Sequence, residues 1–309
     1  MVQTLESAIS CIRDSNGAST VGSPVAGTGA AISFGAQTAA GNYYAIATNV
    51  STTCTNNMSG AATVVVNPLP TAYAMTGGGN YCAGGSGMSV GLSNSNLGIS
   101  YQLYNGSATV GSPVAGTGAA LDFGLQTASG SYHVIATDGS TACTNNMTGA
   151  SVININPLPV AYNITGGGNY CAGGSGVTVG LSGSNTGISY QLYNGASTVG
   201  VPVAGTGSAI SFGLQTGSGT YTVLATNGAT TCTRTMNGTA NVGINVVPTA
   251  FTVTGGGNYC SGGTGMSVGL ANSTTGISYQ LYNGATATGS PVAGTGSAIS
   301  FGLQTAAGT

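Results

Sequence analysis

Cysteine is the residue type in this chain whose chemistry and spacing are most regular. Seven cysteines occur among 309 residues, and six of them form two series in which successive members lie 89 residues apart. The early series is Cys82, Cys171 and Cys260, and the late series is Cys54, Cys143 and Cys232. Zinc sites need closely spaced Cys or His ligands, and this sequence has no Cys-x2-Cys spacing and one histidine. We therefore predict disulfides and no metal.

The early and late cysteines of one repeat are 61 residues apart, which predicts the within-repeat pairs Cys82–Cys143 and Cys171–Cys232. Such a disulfide closes a long loop and stabilises the repeat that contains it. A rival pairing, Cys54–Cys82 with Cys143–Cys171, would instead join neighbouring repeats. Either pairing predicts an oxidising, extracellular environment.

Three cysteines have no partner under the within-repeat pairing. Cys54 and Cys260 lack a counterpart in their own repeats, and Cys11 lies outside both series. Cys11 could pair with Cys54. Alternatively, Cys260 of one chain could form an inter-chain disulfide with Cys54 of the next.

Side chains that could perform acid–base catalysis are few, and they do not recur from repeat to repeat. The charged residues are Glu6, Arg13, Asp14, Asp122, Asp138 and Arg234. Neutral or unrelated residues occupy the equivalent positions of other repeats: Tyr44 and Thr222 for His133; Ser33, Ser211 and Ser300 for Asp122; Asn49 and Asn227 for Asp138; Asn56 and Asn145 for Arg234. General acid–base catalysis and catalytic triads need a positioned titratable pair. We therefore predict no catalytic residues and no enzyme.

Composition argues against several classes of partner. Two basic residues cannot supply the cationic surface that nucleic acid or an anionic membrane attracts. Four acidic residues are too few for calcium sites. The Gly-rich segment at 77–87 is followed by a strand pattern without lysine, unlike a phosphate-binding loop, so we predict tight turns there and no cofactor. No apolar run is long enough for membrane insertion.

The period divides the chain into four modules: partial modules at 1–70 and 249–309 and complete modules at 71–159 and 160–248. Asn16 onward aligns with Asn105 onward, so we expect the first module to lack its opening strands and the last to lack its closing strands. Proline-containing connections, such as Asn-Pro-Leu-Pro at 67–70, predict semi-rigid linkers. Residues 1–11 lack the basic start and the apolar run of a signal peptide. Either a leader is absent from this sequence or the chain is a segment of a longer exported protein, and we favour the segment.

Apolar residues alternate with polar ones, which predicts half-buried strands and no helix. In the second module the predicted strands are 73–75, 88–92, 99–103, 110–114, 120–123, 132–136 and 152–155. About seven short strands separated by turn signals, such as Asn105-Gly106, are typical of an antiparallel immunoglobulin-like β-sandwich. The fold class is therefore all-β, in tandem. Tyr101 and Tyr104 could form a sugar-stacking surface, but core packing is the preferred interpretation for Tyr101.

The segments Tyr-Cys-Ala-Gly-Gly-Ser-Gly-Val-Thr-Val-Gly-Leu-Ser (170–182) and Gly-Ile-Ser-Tyr-Gln-Leu-Tyr-Asn-Gly (187–195) carry a resemblance. The chain resembles the immunoglobulin/PKD-like tandem repeats of large secreted Bacteroidetes surface proteins, many of them associated with gliding-motility-type secretion. This resemblance implies an exported stalk, adhesin or fibre without catalytic residues.

Two functional hypotheses follow. The first is a non-catalytic structural protein of an extracellular fibre or cell-surface adhesin stalk, which associates with neighbouring repeats or self-associates head to tail through its complementary partial end modules. Near-zero net charge favours association. The alternative is an adhesin module that binds a surface glycan or a protein ligand.

Overall fold

The computed structural model describes residues 7–14 and 18–308, so Glu6 and Asn16 lie outside the described part. Its regular secondary structure consists of β-strands, with no helix among the described residues. The chain divides into two compact units, which are Met1–Asn156 and Pro157–Thr309. The boundary between them falls within residues 156–159, Asn-Pro-Leu-Pro, which repeat the sequence of the predicted linker at 67–70. The all-β fold class is therefore confirmed.

The first unit contains fourteen described strands. They are β1 (Ser7–Asp14), β2 (Ser19–Ala26), β3 (Gly41–Asn49), β4 (Thr55–Asn57), β5 (Ala62–Val64), β6 (Met75–Gly77), β7 (Gly79–Cys82), β8 (Met88–Leu92), β9 (Ile99–Asn105), β10 (Ala108–Ala115), β11 (Leu121–Gln126), β12 (Gly130–Asp138), β13 (Thr144–Asn146) and β14 (Ser151–Asn156).

The second unit also contains fourteen described strands. They are β15 (Ile164–Gly166), β16 (Gly168–Cys171), β17 (Val177–Leu181), β18 (Ile188–Asn194), β19 (Ser197–Ala204), β20 (Ile210–Gln215), β21 (Gly219–Asn227), β22 (Thr233–Thr235), β23 (Ala240–Asn245), β24 (Val253–Gly255), β25 (Met266–Leu270), β26 (Ser278–Asn283), β27 (Thr286–Ala293) and β28 (Ile299–Gln304).

Each complete module is a sandwich of two sheets. In the second module one sheet has the order β10-β9-β12-β14-β7, with β13 also paired to β12, and the other has the order β11-β8-β6. All of these pairings are antiparallel except β14 with β7, which is parallel. The third module repeats the arrangement with β19-β18-β21-β23-β16 and β15-β17-β20. These tandem sandwiches are immunoglobulin-like.

The core lies between the two sheets and is built from alternate residues of the central strands. Tyr132, Val134 and Ala136 of β12 are at most 1% exposed and pack in one cluster with Val90 and Leu92 of β8. Apolar side chains at every second position fall on one face of a strand, so the alternation seen in the sequence places them together. The third module has an equivalent core.

The Gly-rich segment carries the chain from one sheet to the other. β6 belongs to the three-stranded sheet and β7 to the larger sheet. Gly77 ends β6 and Gly78 lies between the two strands, at φ values of 82° and 81°. A Cβ atom at Gly77 would overlap the Ser89 carbonyl. Glycine adopts positive φ without the steric cost that other residues bear, and this explains the Gly-Gly-Gly motif of each repeat.

Two strands of the complete module were absent from the sequence-based prediction. Gly79–Cys82, expected to form turns, is strand β7, and Thr144–Asn146 is strand β13. The second module therefore has nine strands rather than about seven.

The first and fourth modules contain only part of this arrangement in the described residues. The first is a single sheet, β2-β1-β3-β4 with β5 on β3. Its strand β1 lies before Asn16, where the 89-residue period begins, and it occupies the position of β9. Ile9 of β1 pairs with Ala47 of β3, as Tyr101 of β9 pairs with Ala136 of β12. The fourth module has the sheet β24-β25-β28 and the hairpin β26-β27.

We predict that Tyr101→Phe lowers the stability of the second module by about 1–3 kcal/mol, because the Asn96 N–H then loses a buried acceptor. In the structure the Asn96 N–H donates to Tyr101 Oη at 2.9 Å, and Tyr101 is 0% exposed. Urea unfolding monitored by tyrosine fluorescence measures the change. The control is Tyr104→Phe on the outward face of the same strand, which should leave the transition unchanged. An equal loss in both variants would contradict this prediction.

Candidate functional site

The early and late cysteines lie at opposite ends of a module. Cys143 is level with the end of β12, because its carbonyl accepts a hydrogen bond from Asp138 N–H at 2.9 Å. In the parallel ladder of β14 with β7, Cys82 lies opposite Asn156. Asn156 is three residues beyond Ile153, which lies opposite Gly130 at the start of β12. At about 3.3 Å per strand residue the two cysteines are more than about 30 Å apart along β12. Cys232 and Cys171 have the same arrangement in the third module.

This separation forbids the within-repeat disulfides, since bonded cysteines have Cα atoms roughly 4–7 Å apart. Cys143 and Cys171 are free, whereas Cys82 and Cys232 are each disulfide-bonded. The pairs Cys82–Cys143 and Cys171–Cys232 are therefore not formed. The rival pairs Cys54–Cys82 and Cys143–Cys171 are not formed either, because Cys54 is also free.

Cys11 has a packing role in the first module. It is free, 5% exposed, and pairs with Ala45 at the position where Leu103 pairs with Val134 in the second module. The Cys11 side chain therefore lies on the face of the sheet that corresponds to the core face of the second module, whereas Cys54 is exposed. The Cys11–Cys54 disulfide considered from the sequence is not formed.

Each complete module has an N-terminal end and a C-terminal end that carry different cysteines. The preceding linker reaches the N-terminal end, where Asn145 Nδ2 donates to the Pro70 carbonyl at 2.7 Å, two residues after Cys143. The chain leaves from the C-terminal end at Asn156, beside Cys82. Late cysteines thus lie where a module begins and early cysteines where it ends.

The loop before each late cysteine holds a non-glycine residue in the left-handed region. These residues are Thr53, Ala142 and Thr231, with φ between 58° and 59°. The side chain before the loop stabilises it, since Asp138 Oδ1 accepts hydrogen bonds from Ser140 N–H and Thr141 N–H. Asn49 and Asn227 accept the equivalent bonds. The charge of Asp138 is therefore incidental to a turn that asparagine also forms.

The side chains of Asp122, Asp138 and Arg234 serve local structure. Asp122 accepts hydrogen bonds from the Ser89 hydroxyl at 2.7 Å and Gly124 N–H at 2.8 Å, and these two donors lower its pKa. Backbone N–H groups of Ser140 and Thr141 likewise lower the pKa of Asp138. Arg234 donates to the Pro159 carbonyl at 3.3 Å, as Asn145 does to Pro70. These contacts are structural, and they do not assemble an acid–base pair.

The tyrosines considered for sugar stacking divide between core and surface. Tyr101 and Tyr190 are both 0% exposed, which confirms the core interpretation for them. Tyr104 lies half-buried on the outward face and stacks on His133, with ring centroids 5.3 Å apart. Its equivalent in the fourth module, Tyr282, is 57% exposed.

An open cleft separates the two sheets of the fourth module. In the third module the corresponding space is filled by Tyr221, Val223 and Ala225 of β21, which are at most 2% exposed. In the fourth module, the described residues place no strand beside β26 on that side. The result is a cleft of about 330 Å³ whose apolar walls include Val268 and Leu281.

Two negative observations apply to the described residues. No three or more His, Cys, Asp or Glu side chains are grouped as a metal ion would require. A helix with the length and apolarity needed to cross a membrane is also lacking in this part of the chain.

Comparison with known proteins gives matches among solved structures alone. No protein-family model matches the chain, and no curated protein matches it. Among the solved structures, the fibronectin(III)-like modules of Clostridium thermocellum CbhA are 12% identical over 55% of this chain and 94% of theirs, with a TM-score of 0.29. The FN1–FN3 domains of chicken CNTN1 are 10% identical over 77% of this chain and 88% of theirs, with a TM-score of 0.26. Sidekick-1 immunoglobulin domains 1–4 are 12% identical over 81% of this chain and 72% of theirs, with a TM-score of 0.21.

The lowered pKa of Asp122 predicts a pH dependence of stability. A carboxyl whose folded pKa lies below its unfolded value of about 3.9 stabilises the fold above that value, and the contribution is lost as pH falls through the folded pKa. We expect Asp122→Ser to reduce the loss of stability between pH 5 and pH 2, because serine does not titrate in this range. The turn itself should be retained, since Ser211 Oγ and Ser300 Oγ accept the equivalent backbone hydrogen bond in their own turns. Thermal unfolding midpoints at several pH values measure the effect.

The double variant Asp122→Ser, Asp138→Asn should flatten the acid profile further, because Asp138 also has a lowered pKa. An acid profile steeper in either variant than in the parent chain would contradict the assignment.

Proposed function

We propose that this chain is a non-catalytic structural array that forms part of an extracellular fibre or the stalk of a cell-surface adhesin. One observation carries the proposal: the side chains that recur from module to module build cores and turns. Tyr132, Val134 and Ala136 have counterparts in Tyr221, Val223 and Ala225, whereas the Asp, Arg and His side chains do not recur. Repetition of a core without repetition of an acid–base group suits a mechanical role.

Secretion to the cell surface is part of the same proposal. Cys82 and Cys232 are disulfide-bonded, and disulfides persist mainly in oxidising compartments. A chain with 2% charged residues is poorly suited to a crowded cytosol. The resemblance of the modules to Bacteroidetes surface repeats supports the same location.

Association with further modules is the interaction that the proposal requires. The modules joined in this way are neighbouring repeats of a longer chain or other copies joined head to tail. The low net charge of −2 supports this, because copies of the chain have little electrostatic repulsion between them.

A binding function for the adhesin is the second candidate. Outward-facing tyrosines recur at Tyr104, Tyr193 and Tyr282, and a tyrosine on an exposed sheet can stack on a sugar ring or anchor a protein ligand. The stacked partner His133 does not recur, so a repeated glycan site would depend on the tyrosines alone.

Single-molecule force spectroscopy tests the structural function. With reductant present, pulling residues 1–309 from both termini should give two unfolding events of similar force. Each event should add roughly 30 nm of contour, the length of about 89 extended residues. The events correspond to the second and third modules, which have matching cores. One event releasing most of the chain at once would contradict an array of independent modules.

A glycan array probed with the full chain tests the second candidate. A structural array predicts no retained glycan, with equal background for the parent chain and for Tyr104→Ala, Tyr193→Ala. Retention of a glycan by the parent, lost in that double variant but kept in Asp122→Ser, would establish the binding function instead.

A further inference from the structure

Each complete module has two long strands at the edges of its sheets. In the second module β10 is the last strand of the larger sheet, and β11 is the last strand of the smaller one. They contain eight and six residues, whereas the strands at the opposite edges, β7 and β6, contain four and three. A long edge strand can pair with a strand of another molecule, and a short edge pairs poorly. The edges that matter for such pairing are therefore β10 and β11, with β19 and β20 in the third module.

Charge, a common protection of edge strands, is almost absent from these four strands. Lysine on an edge disfavours pairing with a second sheet, but this chain contains no lysine. Asp122 is the one charged residue of the four strands, and the Ser89 hydroxyl and the Gly124 N–H already bind its carboxylate. A formal net charge of −2 also gives little repulsion between copies. Protection of these edges must therefore come from the geometry of the backbone.

A bulge interrupts β10 near its centre. Val110 of β10 pairs with Leu103 of β9. The next pair is Val114 with Tyr101, so three residues of β10 lie opposite Gln102 alone. These three residues are Gly111, Ser112 and Pro113. The glycine has a φ of 63°, and the proline has no N–H that could bind a neighbouring strand. The third module has the same bulge at residues 200–202.

The side-chain amide of Gln102 binds the backbone beside this bulge. Its Nε2 donates to the Leu103 carbonyl at 2.8 Å and to the Val110 carbonyl at 3.1 Å. Gln191 and Gln280 make the equivalent bonds in the later modules, at distances of 2.8 to 3.0 Å. The carbonyl groups next to the bulge are thus satisfied within the module, which stabilises the irregular backbone.

Strand β11 has a bulge of its own. Two of its residues, Phe123 and Gly124, lie opposite Val90 alone. Gly124 has a φ of 79°, and Gln126 Nε2 donates to the Phe123 carbonyl at 2.9 Å. Gln37 makes the same bond at 2.8 Å in the first module, where its segment forms no strand. The bulge is therefore a local property of the Phe-Gly-x-Gln sequence rather than a consequence of the sheet.

We propose that the glutamine-capped bulges of β10 and β11 protect the long edges of each module against the addition of strands from other molecules. A bulge bends its strand and increases the local twist, and this breaks the row of N–H and C=O groups that an added strand would need. Neutral residues thus provide the protection that charge provides on other edge strands. Modules can then lie side by side without fusing their sheets. This inference does not depend on the proposed function, since it concerns the edges of each module by itself.

Straightening β10 in the full chain tests the inference. Deletion of Gly111 and Ser112 together with Pro113→Thr removes the two extra residues and leaves a single residue opposite Gln102. The third module receives the same change through deletion of Gly200 and Val201 and Pro202→Thr. We expect the straightened chain to form sedimentable aggregate that binds thioflavin T about tenfold faster than the parent chain, because a continuous neutral edge pairs between copies.

The matched control carries the same deletions with Pro113→Lys and Pro202→Lys. Its edges are equally straight, but the lysines should keep the rate of aggregation within about twofold of the parent rate. Two lysines change the formal net charge from −2 to 0, so general repulsion between copies could not explain the slower aggregation. A chain that merely misfolds would aggregate with either residue. Equal aggregation of the two straightened chains, or none in either, would overturn the inference.

Strand β11 allows a second test by the same measurement. Deletion of Gly124 and Gly213 removes the extra residue from β11 and β20, and it should also accelerate aggregation. Leu125→Lys and Leu214→Lys, at side chains that are 59% and 56% exposed, should restore the parent rate in the deleted chain. The same two lysines should leave the parent chain unchanged, since its bulges already protect these edges. A deleted chain that aggregates no faster than the parent would overturn the inference for the smaller sheet.

Discussion

Pairing with a neighbouring strand decides which segments of this chain become strands. Gly-Asn-Tyr-Cys is a strand at 79–82 and 168–171, where a parallel neighbour exists, but not at 257–260. Ile-Ser-Phe-Gly-Leu-Gln forms β20 and β28 beside an antiparallel partner. The segment 32–37, which differs by one alanine, forms none. Backbone N–H and C=O groups need partners, so tertiary context outweighs local propensity here.

The same dependence links the fold to function. A sandwich layer is stable when the opposite layer covers its apolar face, which the second and third modules achieve within themselves. What recurs along the chain is this covered core, with Tyr101 and Tyr190 anchoring loops through hydrogen bonds at 2.9 Å. The polar side chains that vary, such as Asp138 and Asn227, make equivalent turn contacts. At these positions several side chains form the same turn.

Much of the fold could be predicted from the sequence because alternation and period report directly on strand faces. Tyr132, Val134 and Ala136 were assigned to a strand for that reason and are buried as expected. β7 and β13 were missed because Gly-Asn-Tyr-Cys and Thr-Asn-Asn carry no apolar alternation. The prediction of within-repeat cysteine pairs was wrong for a different reason. Separation along the chain does not reveal at which end of a sandwich a residue lies, and only the registers of β12, β14 and β7 show that.

Those registers give each module a direction. A disulfide inside the module would need to cross more than about 30 Å of sheet, so each of the two cysteines can bond only to a partner at its own end of the module. Cys11 illustrates the contrast, because its burial among core residues removes it from any such partner. A late cysteine lies where a module begins and an early cysteine lies where it ends. The cohesion of the sandwich itself then rests on apolar burial and strand pairing, without a disulfide between the early and late cysteines of the same module.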